Sequence, residues 1–137
     1  MKDKTRIPLP RPTELSEPYW RACTEGRLVV QRCADCGEHV FIPQPCCTRC
    51  QSRDLAWVEC SGRGTVYSYT VVHRAPRPEF DTPLVVAIVE LEEGWHQLTN
   101  IIGCDPEKVA VDMPVQVSFK RMTEDITLPY FEPACSD

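Results

Sequence analysis

A mainly β protein is what this 137-residue sequence predicts, and three observations predict it. Two Cys-x-x-Cys pairs each follow a short apolar run. The patterned segments after Gly62 have strand length and strand composition, and one short segment near the N-terminus has helical spacing. The expected order is an extended lead-in and short helix over residues 1–26, a metal-held ribbon over 27–60, and a five-stranded barrel with a C-terminal tail over 61–137. That length suits one ordinary domain, or a small module joined to one.

Pro8, Pro10 and Pro12 keep the lead-in extended, since proline fixes φ and removes a donor. Ser16 is placed to cap a helix with Pro18 in its first turn, and Leu15, Tyr19, Ala22 and Cys23 fall near one face. Gly26 is the expected stop. Leu28-Val29-Val30 reads as a strand entering the first cysteine pair, Val40-Phe41-Ile42 as one entering the second, and Leu55 to Val58 as the strand leading out. Gly62 and Gly64 mark a bend or bulge before a long strand, Thr65 to Val72. Leu84 to Leu91 is almost continuously apolar, Gln97 to Ile102 is mixed, and Val115, Val117 and Phe119 alternate with polar neighbours. Leu128 to Phe131 can close the set. With a short helical or turn segment at 105–109 between the third and fourth strands, these five match a Greek-key OB barrel; a small open sandwich is the alternative.

Cys33-Ala-Asp-Cys36-Gly37 and Cys47-Thr-Arg-Cys50 are separated by ten residues. Each pair sits on a turn after a predicted strand, so two knuckles converge four sulfurs in a rubredoxin-like zinc ribbon. Zinc suits them because a d¹⁰ ion takes tetrahedral thiolates without redox chemistry, and Gly37 lets the chain turn tightly. Buried free thiols or a single redox Cys-x-x-Cys are the competing readings, and a redox pair leaves the second knuckle unexplained. Cys46 could replace Cys47, but the two-residue spacing to Cys50 favours Cys47. Cys23, Cys60 and Cys104 lack partner spacing and read as small buried hydrophobes, and Cys135 as a tail residue. One structural zinc ion per chain is expected, in a closed site with no position left to activate water.

Nine cysteines without a visible secretory signal argue for metal rather than disulfides. No apolar run approaches the roughly 20 residues of a membrane-spanning helix, so a soluble, cytoplasmic protein is expected, without a membrane partner. The formal net charge of -5 becomes about -7 with a four-thiolate zinc site, which disfavours nucleic acid as a partner.

Few residues offer chemistry. His73, Arg74 and Arg77 share a proline-rich loop whose guanidinium forks suit phosphates or a carboxylate, with a solvated loop as the other reading. His39 and His96 have no base or nucleophile beside them in sequence. Trp57 reads as packing between ribbon and barrel, and Trp20 as an interface anchor. Tyr67 and Tyr69 share a strand face, where barrel or interface packing is favoured over base stacking. No residue is assigned as catalytic.

The order of these features resembles the acyl-CoA-associated zinc-ribbon plus OB-fold family formerly called domain of unknown function 35. The resemblance is carried by Tyr19-Trp20, Gly26-Arg-Leu28, Gln31-Arg-Cys-Ala-Asp-Cys-Gly37, Pro45-Cys-Cys-Thr-Arg-Cys50, Ser61-Gly-Arg-Gly-Thr-Val-Tyr-Ser68, Pro83-Leu-Val-Val-Ala87 and Met113-Pro-Val115. These stretches span nearly the whole chain. Asp112 departs from the pattern by standing where a glycine is usual. The resemblance implies an accessory subunit of a thiolase-like enzyme, either an acyltransferase or an aldolase that shortens steroid side chains held as CoA thioesters. The partner would supply the nucleophile or base, and this chain would help form a hetero-oligomer and share the acyl-CoA channel. The phosphates or carboxylate met by His73, Arg74 and Arg77 would then be those of CoA or of the partner. The alternatives are a nucleic-acid-binding module, opposed by the charge, and an independent acyl-CoA enzyme using Cys60 or Cys104, which no residue pair supports.

Overall fold

The computed structural model describes residues 7–134. Cys135 lies outside them. Helix α1 (Glu17–Thr24) carries Pro18 in its first turn and buries Tyr19, Ala22 and Cys23 on one face. Ser16 stands at its N-cap but does not cap as expected. Its hydroxyl accepts from the Thr13 backbone N–H at 2.9 Å and from the Thr13 hydroxyl at 3.1 Å, so a local turn has claimed the oxygen. The other end matches expectation. Gly26 has φ +74°, its N–H bonds the Cys23 carbonyl at 3.1 Å, and the Arg27 N–H reaches back to Ala22 at 2.9 Å. This is a Schellman motif.

Strands β1 (Val29–Cys33), β2 (His39–Val40) and β3 (Leu55–Glu59) form an antiparallel sheet in the order β2-β1-β3. The expected strand through Ile42 stops at Val40. Beyond it Phe41 leaves the sheet to pack between Tyr19 of α1 (ring centroids 5.7 Å apart) and Trp95 (5.1 Å). Burying an aromatic ring in that junction outweighs two more residues of edge strand.

Five further strands close a barrel in the order β4-β5-β6-β8-β7: β4 (Arg63–Val72), β5 (Leu84–Leu91), β6 (His96–Ile101), β7 (Pro114–Arg121) and β8 (Thr127–Pro133). Strand β7 returns to pair with β4, so the fold is a closed OB barrel rather than an open sandwich. A 3-10 turn at Pro106–Lys108 joins the third and fourth barrel strands, and the Asp105 carboxylate caps it by accepting from the Glu107 N–H at 3.0 Å. Strand β4 is long because it serves two neighbours: Arg63–Thr65 pair with β7 while Gly64–Val72 pair with β5. At Gly64 the strands crowd so closely that a β-carbon would press on the Glu90 carbonyl and the Val89 side chain. That crossing explains the glycine.

Val66, Val85, Ala87, Val89, Leu91, Ile101, Val115 and Phe131 fill the barrel. The same core continues into Leu28, Val29 and Val30 at the base of the ribbon and the buried face of α1, and Trp57 packs against it. The far end of the ribbon has a separate small core of Cys33, Val40 and Cys47 with Leu55 against it. No helix among the described residues is long and apolar enough to cross a membrane.

Candidate metal centre

The two knuckles are built alike. In the first, the Cys33 N–H bonds the Glu38 carbonyl and the Gly37 N–H bonds the Cys33 carbonyl, both at 2.9 Å. In the second, the Cys47 N–H bonds Ser52 at 2.8 Å and the Gln51 N–H bonds Cys47 at 2.9 Å. Each knuckle needs a residue with positive φ just after its second cysteine, and these are Gly37 (+78°) and Gln51 (+65°).

This construction gathers the sulfurs of Cys33, Cys36, Cys47 and Cys50 within 4.8 Å of one another. Cys33 and Cys50 sulfurs are 3.6 Å apart, and those of Cys36 and Cys47 are 3.5 Å apart. A tetrahedron with zinc–sulfur bonds of about 2.3 Å has edges of about 3.8 Å, so the set is sized for one zinc ion and far too open for disulfides. Cys46 is not in the cluster, and the buried Cys47 is.

The backbone prepares the site for thiolates. N–H groups of Cys50 (3.5 Å) and Arg49 (3.3 Å) point at the Cys47 sulfur and pull that thiol down to about 7. At Cys50 the Ser52 N–H acts in the same direction, but burial and the neighbouring thiols outweigh it and push the group up to about 12. Four thiols this close cannot all ionise alone; a divalent cation resolves the conflict. When bound, zinc supplies a structural cross-link with no open coordination position.

Two features of the site were not legible beforehand. Gln31, 5% exposed, donates through Nε2 to the Gln44 carbonyl at 3.0 Å and accepts the Gln44 N–H at 2.8 Å, tying the inter-knuckle loop to β1. Beside the ribbon, a cleft of about 300 Å³ lies between α1, the 41–43 loop, β6 and β8. Trp20 lines it, next to Tyr19, whose hydroxyl accepts from buried Gln97 Nε2 at 2.9 Å.

The loop residues are elsewhere. His73 and Arg74 are exposed, and His73 borders a hollow beside Asp105 and Glu107. Arg77 Nε is already bonded to Glu79 at 3.2 Å. His96 contacts Glu90 at 3.9 Å and the Tyr67 ring, neither of which is a nucleophile poised against it. Tyr67 and Tyr69 are 56% and 38% exposed, so neither ring is packed into the barrel core. Cys23 is buried, while Cys60 and Cys104 are half-buried.

Comparison with known proteins accords with this architecture. The family model described as ChsH2, rubredoxin-like zinc ribbon domain, matches residues 20–56, and that described as ChsH2, C-terminal OB-fold domain, matches residues 57–120. A probable enoyl-CoA hydratase alpha subunit of Thermomonospora curvata is 42% identical over 97% of this chain and 42% of its own length. The 3-oxo-4,17-pregnadiene-20-carboxyl-CoA hydratase alpha subunit of Mycobacterium tuberculosis is 41% identical over 74% of this chain and 32% of its own length. The chain thus spans well under half of either subunit. A DUF35 domain-containing scaffold protein of Methanocaldococcus jannaschii is 39% identical, over 77% of each chain. Among solved structures, a chain of an Ltp2-ChsH2(DUF35) aldolase superposes with a TM-score of 0.83 at 42% identity, covering 92% of this chain and 99% of that one.

Proposed function

This chain belongs to the ChsH2 family of zinc-ribbon and OB-fold proteins, and from that membership we propose that it is a noncatalytic accessory subunit of a thiolase-like acyl-CoA enzyme. The reaction would be a retro-aldol cleavage, with acyltransfer as the second form, and the acyl group a steroid side chain held as a CoA thioester. The observation that carries the reading is the likeness along almost its whole length to the ChsH2(DUF35) chain of a two-component aldolase. The steroid assignment leans on the pregnadiene-carboxyl-CoA hydratase relative, and the noncatalytic role on the relative named as a scaffold.

The chemistry of the chain supports the same division of labour. A closed four-thiolate site has no position for water or substrate. Cys23 and Cys60 are poor nucleophiles, because burial pushes their thiols up to about 12 and about 11. Trp20, half-buried at the mouth of an apolar cleft, is a partner contact in this reading. His73 and Arg74 remain available to CoA or a partner carboxylate, whereas the Arg77 fork is partly engaged by Glu79.

Co-expression tests the proposal. A thiolase-like aldolase subunit should become soluble or gain retro-aldol activity on a steroid CoA thioester when this chain is present, and the purified chain alone should turn over nothing. A partner that is equally soluble and active without it removes the reading.

A further inference from the structure

The barrel wall has an incomplete seam. Strand β6 pairs with β5 along six residues, from His96 opposite Glu90 to Ile101 opposite Val85. On its other edge it meets β8 at one parallel bridge, Ile101 with Phe131, beside the Ile102 N–H bonded to the Phe131 carbonyl at 2.8 Å. From His96 to Asn100 that edge faces no strand among the described residues. The cleft of about 300 Å³ opens at this place, with Gln97 to Asn100 on one side and Leu128 to Tyr130 on the other.

Three properties of the cleft narrow what it accepts. Gln97 lines it and is only 4% exposed; its Nε2 is spent on Tyr19, and its Oε1 has no hydrogen-bond partner. A buried amide acceptor without a donor is rare in native folds and asks for an N–H or O–H from outside. Leu98 and Ile42 stand at the mouth, each 68% exposed, which is a large apolar display for side chains flanking one opening. No lining side chain is Asp, Glu, Lys or Arg, although 26% of the chain is charged. Neutral walls match an uncharged occupant and oppose a phosphate-bearing one.

We propose that the cleft receives an extended, uncharged segment of the partner subunit, which adds to the open edge of β6. Main-chain N–H and C=O groups of that segment pair with β6, one N–H serves Gln97 Oε1, and its apolar side chains rest on Leu98, Ile42 and Trp20. Strand addition uses an unpaired edge for affinity and side-chain hollows for specificity, and both are present here. The inference rests on the accessory-subunit reading above and specifies where the partner docks.

Ltp2, the other component of the solved aldolase, serves as the probe, with the zinc-loaded full chain titrated by calorimetry and amide hydrogen exchange followed in the complex. Leu98→Glu and Ile42→Glu, both at exposed positions, should weaken binding at least tenfold while thermal melts stay near wild type. Gln97→Met should weaken it about three- to tenfold, the worth of one hydrogen bond. Val111→Glu, at a 56% exposed position outside the cleft, should bind as wild type. Amides of Leu98 and Asn100, which share the strand edge of the Ile102 N–H, should gain protection on complex formation. The proposal is overturned if Ltp2 binds both carboxylate variants like wild type, if those amides stay unprotected in the complex, or if CoA alone protects them. It is equally overturned if the cleft mediates a homodimer that Leu98→Glu dissolves. Failure of Ltp2 to bind the wild-type chain brings down the accessory-subunit reading itself, and the inference with it.

Discussion

Gln51 and Asp112 show how much a single backbone angle can cost. Both are non-glycine residues at positive φ, +65° and +70°, where a β-carbon crowds the backbone. Gln51 occupies the place in the second knuckle that Gly37 holds in the first, and Asp112 lies just before β7; Asp tolerates this conformation better than Gln. Gln51→Gly should therefore raise stability by up to about 1 kcal/mol and Asp112→Gly by a few tenths, read from urea midpoints at constant zinc. Buried thiols set a second residue-scale expectation. Burial pushes Cys23 from 9.0 up to about 12 and Cys60 up to about 11, and Tyr19 is raised for the same reason. Folded values above the unfolded ones mean that the neutral thiols contribute fully below pH 9, and that this contribution is lost as pH rises from 9 toward 12. Melting temperature should hold level from pH 7 to 8.5 and fall steadily above 9, with a shallower fall in Cys23→Ala after its lower starting point is allowed for. The zinc ligands could be read from the sequence because each knuckle is local, four residues long. Gln31 and Gln97 could not, because their partners lie 13 and 78 residues away. A polar residue in a strand does not say which distant group will satisfy it.

Among the elements, β4 carries the sharpest constraint. Gly64 and Thr65 are flanked by β7 on one side and β5 on the other, and at Gly64 the β5 backbone and the Val89 side chain press closest. Gly64→Ala should cost about 1–3 kcal/mol, the range for forcing extra volume into a packed site, because the obstructing group is the Glu90 backbone carbonyl and cannot swing aside. Gly94 in the β5–β6 turn has open space around its α-carbon but φ +99°, so Gly94→Ala tests backbone strain without crowding. Equal costs at the two sites in denaturant titrations would refute the crowding account of Gly64. The strand-forming segments were legible from β-branched runs bounded by Gly and Pro, and the turn between the third and fourth barrel strands from Asp105-Pro106. Pairing was not. The single β6–β8 bridge is a product of barrel closure, and the early end of β2 follows from Phe41 joining Tyr19 and Trp95 across the junction. Both depend on residues remote in sequence.

At the scale of the whole molecule, the chain has one large core and one small one, and they should respond differently to metal loss. Leu28, Val29 and Val30 at the base of the ribbon share the large core with the barrel and α1. The tip depends on Cys33, Val40 and Cys47, so two of its three buried residues are zinc ligands. Structural zinc in small modules contributes about 10–16 kcal/mol of apparent binding energy, most of which is folding energy. Without it, three buried side chains cannot offset the conformational entropy of some twenty ribbon residues, at about 1–2 kcal/mol each for the backbone alone. Chelation at neutral pH should therefore unfold the knuckles locally: amides of residues 33–55 should lose hydrogen-exchange protection, while those of β5 and β7 keep theirs. Cys36→Ser should reproduce this at lower zinc occupancy. Loss of barrel protection at the same chelator concentration would show instead that the two cores fold as one cooperative unit. The local outcome reaches the proposed docking cleft, because Ile42 and Pro43 form part of its wall and belong to the loop that Gln31 and the metal hold in place. Partner binding should weaken on chelation even though the barrel remains folded, and zinc readdition should restore it.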